Sequence, residues 1–124
     1  MINIKELSIG NWIENTNGNI GKVIGITEQG LVVMRYHENS ICYSEPALLE
    51  GIPLTPEILK KNGWNEDAHH FPEDENYDVE LWKNSNQIFW TINCYEYDII
   101  KINYVHQLQN ILTLYGINKE IELL

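Results

Sequence analysis

The first fifty residues most constrain what this chain can fold into. They are short runs of β-forming side chains, each stopped by turn chemistry. Trp12-Ile13-Glu14 runs into Asn17-Gly18, the strongest short-range hairpin signal. Ile20 to Thr27 follows, with Ile20, Lys22, Ile24 and Ile26 on one face and Gly21, Val23 and Gly25 on the other. Glycines along one strand face mark a bend or a close backbone approach. Glu28-Gln29-Gly30 turns the chain into Leu31-Val32-Val33-Met34-Arg35-Tyr36, a dense β run, and His37-Glu38-Asn39 turns it again into Ser40 to Tyr43.

Strands of this length and spacing predict a curled antiparallel sheet or a small SH3-like β-barrel over residues 1–52. Ile9-Gly10-Asn11-Trp12-Ile13 followed by Gly21-Lys22-Val23-Ile24-Gly25-Ile26 resembles the start of such barrels. Residues 53–64 read as a connector with a short helix. Thr55 suits the N-cap, Pro56 the first helical position and Glu57 the first turn; Lys60 and Lys61 suit the last turn and Gly63 the C-cap. Residues 65–76 form a polar loop interrupted by Pro72. From 77 to 124 the pattern predicts strands at Tyr77 to Lys83, Gln87 to Cys94 and Tyr95 to Ile102. A helix capped by Asn103 then carries Tyr104, Val105, Leu108, Ile111, Leu112 and Tyr115 on one stripe, and a closing strand runs from Ile117 to Leu124. The expected fold is α+β, a single domain over residues 1–124, ending in a C-terminal amphipathic helix.

Charge narrows the function. The 124 residues carry a net charge of −10 with Arg35 the only arginine, so the clustered cations that grip a nucleic-acid phosphate backbone are missing. No stretch approaches the ~18 apolar residues that span a membrane. The opening Met1-Ile2-Asn3-Ile4-Lys5-Glu6 lacks the layout of a signal peptide, so a cytoplasmic location is expected. Cys42 and Cys94 are too few for a disulfide framework and read as reduced, buried small hydrophobes.

Three constellations could carry chemistry. The acidic loop holds Glu66, Asp67, Glu73, Asp74 and Glu75 with His69 and His70. Its spacing matches no metal motif, so it reads as a solvated loop or a docking surface for a basic partner. The C-terminal helix presents His106, Gln107, Gln109, Asn110 and Thr113 on a polar face of amides and an imidazole, groups that read ligand edges well. With Tyr104, Arg35 and Trp82, the residues His106, Gln109 and Asn110 are the candidates for holding a small anionic ligand. An oligomer would help by sharing pockets and their few cations between subunits. The third is the aromatic set, four tryptophans among it, with Trp82 and Trp90 expected to face each other across the Asn84-Ser85-Asn86 turn. No Gly-rich phosphate loop, nucleophile elbow or matched acid–base pair occurs, so no catalytic residue, metal ligand or cofactor is assigned.

Pro53-Leu54-Thr55-Pro56-Glu57-Ile58-Leu59 and, most specifically, Tyr104-Val105-His106-Gln107-Leu108-Gln109-Asn110 resemble a family of small uncharacterised proteins of bacteria, phages and prophages. The resemblance implies a mobile-element context in which small acidic proteins act by binding. The expected function is a non-catalytic binding protein that counteracts host defence by sequestering a nucleotide signal. The alternatives are an acidic inhibitor of a basic host protein and a structural or assembly module.

Overall fold

The structure, a computed structural model, describes residues 2–37, 40–83, 90–94 and 98–123; over 90–94 and 98–100 it describes the backbone. The chain divides into two compact units, Met1–Ile52 and Pro53–Leu124.

In the first unit β1 (Trp12–Asn15), β2 (Ile20–Ile26), β3 (Val32–His37), β4 (Ser40–Ser44) and β5 (Leu49–Gly51) make one antiparallel sheet in the order β4-β3-β2-β1-β5. Its two edges do not pair with each other, so the sheet is open. The β1–β2 loop is longer than a bare Asn-Gly hairpin. The Asn15 carboxamide oxygen accepts the N–H groups of Asn17 and Asn19, both at 3.0 Å, and Gly18 takes the left-handed φ of +84° that closes the turn. Sequence reasoning passed over β5, which follows a 3-10 helix at Pro46–Leu48 and pairs with β1 through Ile13 and Gly51.

One face of this sheet buries Ile13, Val23, Val32, Met34 and Leu49, with Ile2 and Leu7 packed in from the N-terminal segment. Each such side chain contributes about 1.5–3 kcal/mol by leaving water. In β2 the core face is the glycine face: Gly21 and Val23 are buried while Ile20 and Ile26 are exposed. A Cβ at Gly21 would lie 2.9 Å from the Arg35 carbonyl oxygen and 3.0 Å from the Tyr36 ring, so the glycine makes room for β3. Cys42 is exposed, contrary to the expectation of a buried thiol: it is registered opposite the buried Met34, but β4 is the edge of the sheet and no further strand pairs with its outer side among the described residues. The Cys94 side chain lies outside the described residues.

In the second unit α1 (Pro56–Lys61) begins where the cap chemistry puts it: Thr55 Oγ1 accepts the Ile58 N–H at 3.2 Å, and Pro56 opens the helix. Ile58 and Leu59 are buried. β6 (Val79–Lys83), β7 (Trp90–Cys94) and β8 (Asp98–Ile102) form an antiparallel meander. Trp82 is registered opposite Thr91, and Lys83 opposite Trp90, so the two tryptophans are not cross-strand partners. The predicted turn at Asn84-Ser85-Asn86 and the start of the strand near Tyr95 lie outside the described residues. α2 (Val105–Leu114) buries Val105, Leu108 and Leu112. Its N-cap is Tyr104, one residue later than expected. Gln107 Oε1 reaches back to accept the N–H groups of Asn103 (2.8 Å) and Tyr104 (3.1 Å).

The closing strand expected at Ile117 to Leu124 is absent among the described residues. Ile117 and Ile121 are buried, but the segment is held by a side chain: Asn62 donates to the Glu122 carbonyl and accepts the Glu122 N–H, both at 2.7 Å. Among the described residues no helix is long and apolar enough to cross a membrane.

Candidate functional site

The acidic stretch between α1 and β6 is a built structure, where the sequence reads as a solvated loop. Asn65 starts it, its carboxamide oxygen accepting the Asp67 N–H at 2.8 Å and its carbonyl accepting the His69 N–H at 2.7 Å. Phe71 is fully buried. Asp74 is 3% exposed, and its carboxylate accepts the N–H groups of Asp78 (2.9 Å) and Val79 (2.8 Å), which leads the chain into β6. Charge-assisted bonds of this kind are worth more than neutral ones. Asp74 is therefore a structural anchor and is not available to a docking partner.

The other acids divide by partner. Glu73 pairs with Lys119 at 3.1 Å, and Glu66 sits 3.7 Å from Lys60 with both side chains largely exposed. The exposed Lys60–Glu66 pair contributes about 0–1 kcal/mol and holds neither partner firmly. Glu66, Asp67 and Glu75 all stand exposed to solvent. Lys60 precedes the loop in the sequence and Lys119 reaches Glu73 from 46 residues away, so reading the stretch alone overstated its negative charge.

Aromatic rings continue this surface. The His69 imidazole stacks on Trp82 at 3.6 Å between ring centres and 19° between planes, with the buried Trp64 ring tilted to it at 6.4 Å. Trp82 is 43% exposed and its indole N–H donates to Glu80 Oε2 at 3.1 Å. His70 lies against Tyr77 at 4.2 Å, its Nδ1 3.1 Å from the Ala68 carbonyl oxygen. His69 and Tyr77 both adopt left-handed backbone, φ +61° and +56°, an uncommon state for bulky residues that the surrounding bonds must hold. Leu81 helps, donating its N–H to the His69 carbonyl at 2.7 Å. Tyr77 stands out into solvent beside the carboxylates. Sequence reasoning did not single it out, and a tyrosine between Asn76 and Asp78 gives no local sign of an exposed ring.

The face of α2 expected to read a ligand is largely occupied. His106 is 1% exposed, and its ring stacks parallel to Tyr104 at 5.7 Å, so it is not on the solvated face where its helical position suggested. Gln107 is engaged at the helix start, and the Thr113 hydroxyl donates to the Gln109 carbonyl at 3.0 Å. Gln109 and Asn110 are half-buried, and Tyr104 is exposed at its edge. Arg35 belongs to the first unit, exposed on β3 and registered between Lys22 and Ile41. Lys22 on that sheet face lies over the Trp12 ring at 4.7 Å. Among the described residues no group of three His, Cys, Asp or Glu side chains is placed to hold a metal ion. No family profile, curated protein or solved structure matches this chain.

Proposed function

We propose that this chain is a non-catalytic binding protein whose second unit docks a basic protein through Glu66, Asp67 and Glu75 beside Tyr77 and Trp82. One observation carries the reading: exposed carboxylates and the exposed Tyr77 ring stand on a loop fixed by Phe71, Asp74 and the stacking of His69 on the half-exposed Trp82 of β6. A loop backbone fixed in advance avoids the cost of ordering that segment on binding. Tyr and Trp supply anchoring area, and the carboxylates steer a cationic partner. The resemblance to small phage and prophage proteins makes a host protein in the bacterial cytoplasm the partner of choice, which corresponds to inhibition of a basic host factor.

The first unit supports an SH3-like reading of the N-terminal part: its meander has β5 beside β1, and a 3-10 helix precedes β5. Nucleotide sequestration draws less support, since the imidazole of His106 is buried and Gln107 caps the helix.

The test is fluorescence anisotropy with a labelled Lys/Arg-rich peptide. Wild type should bind, more weakly as salt rises, and the combined E66Q, D67N and E75Q variant should bind at least about tenfold more weakly, a loss of about 1.4 kcal/mol. Binding equal in the variant would refute this surface. Saturable binding of a cyclic nucleotide or ADP-ribose by calorimetry, with no peptide binding, would move the function to the α2 face.

A further inference from the structure

Among the described residues the outer side of the edge strand β4 carries no Lys, no Pro and no covering segment, and its ladder with β3 is irregular only at its start, between Arg35 and His37. Natural edges are blunted by Lys, by Pro or by a covering segment. β5 is met by the N-terminal segment, where the Ile2 N–H donates to the Leu49 carbonyl at 3.1 Å. β6 is met by His69, whose carbonyl takes the Leu81 N–H. Among the described residues no backbone hydrogen bond beyond its ladder with β3 reaches Ser40–Ser44. The strand reads Ser-Ile-Cys-Tyr-Ser, with no charge and no proline, in a chain of net charge −10. Ile41 is 49% exposed, Tyr43 65%, and Cys42 between them is exposed too.

We infer that β4 pairs antiparallel with β4 of a second copy of this chain, on a two-fold axis at Cys42, joining two five-stranded sheets into one. The occupant follows from the strand itself. A two-fold axis at Cys42 sets Ile41 opposite Tyr43 of the second copy, twice over, and Cys42 opposite Cys42. Aromatic with β-branched is among the favourable cross-strand pairs, and a strand complementary to itself is what an isologous interface requires. Charge points the same way. Two copies at −10 repel, so they can meet closely only along a neutral seam, and β4 is one. Residues opposite each other across such a seam have Cα atoms about 4.5–5.5 Å apart, within disulfide reach. A five-residue seam is short of a standard interface, so the dimer is weak and concentration-dependent.

Sedimentation velocity of the full chain in reducing buffer, from about 10 µM to about 1 mM, tests it over the range of weak association. Wild type should pass reversibly from monomer to dimer. Ile41→Lys and Tyr43→Glu should each raise the dimer Kd about tenfold, by setting a charge against the ring or the isoleucine of the second copy. Both positions are exposed, so the melting temperature of the monomer should not fall, and thermal melts at low concentration check this. The double variant should recover dimerisation, because the ammonium introduced at position 41 then faces the carboxylate introduced at position 43 of the second copy. Diamide, which takes two electrons and two protons from a pair of thiols, should give a Cys42–Cys42 link in peptide maps. A wild type that stays monomeric to the top of the range overturns the inference. So does a dimer indifferent to the single variants, unrescued by the double one, or cross-linked without Cys42.

Discussion

Asn62 is 4% exposed and its side chain makes hydrogen bonds to Ile58 and to both backbone groups of Glu122. It joins the end of α1 to a segment 60 residues further along the chain. Asn62→Ala leaves the Glu122 N–H without its acceptor and should cost about 1–3 kcal/mol. Urea unfolding measures it, and a loss under about 0.5 kcal/mol, the range of ordinary surface changes, would mean that water replaces the carboxamide. Asp74 makes the same point within the acidic stretch. Asp74→Ala should cost about 1–3 kcal/mol, since it strips two N–H groups at the entry to β6 of their acceptor, whereas Glu75→Ala should stay within about 0.5 kcal/mol. Equal effects from the two would place Asp74 with the solvated acids after all. Neither role is legible in the sequence. Glu73-Asp74-Glu75 looks uniform, and the partner of Asn62 is too distant in sequence for any local pattern to name it.

Elements with their own punctuation were legible. Thr55-Pro56-Glu57 states the start of α1 in cap chemistry that acts within one turn, and the apolar stripe of α2 follows from helical periodicity. What depended on partners was not legible. Both faces of β2 carry apolar or small residues, so alternation could not say that Gly21 and Val23 face the core; Tyr36 and Met34 across the ladder decide that. β5 is three residues long and exists through its pairing with β1. The burial of His106 on α2 was hidden for a related reason, since helical position does not tell that this ring stacks on Tyr104 and is shielded from water. The stripe itself makes a clean prediction. Leu112→Ala should cost about 2–5 kcal/mol and Leu114→Ala, on the exposed side, under about 0.5 kcal/mol, read as shifts in the urea midpoint at constant slope. Comparable losses at the two positions would mean that Leu114 is covered in solution.

At the scale of the whole molecule the charge of −10 acts on stability as well as on partner choice. Screening weakens attractions and repulsions together, so the sign of the salt effect depends on which dominates. The exposed Lys60–Glu66 pair is the kind whose loss costs little. The acids that outnumber the bases, 18 to 8, repel one another across the folded surface more closely than in an expanded chain. Repulsion therefore dominates, and sodium chloride should stabilise the fold. Between about 20 mM and about 200 mM the Debye length falls from about 20 Å to under 10 Å, and the melting temperature should rise by a few degrees, on the order of 1 kcal/mol. The scan belongs at low micromolar protein, where association along β4 contributes nothing to the transition. A melting temperature that falls with salt would mean that ion pairs such as Glu73–Lys119 outweigh the repulsion. The carboxylates offered to a basic partner would then already be engaged within the chain.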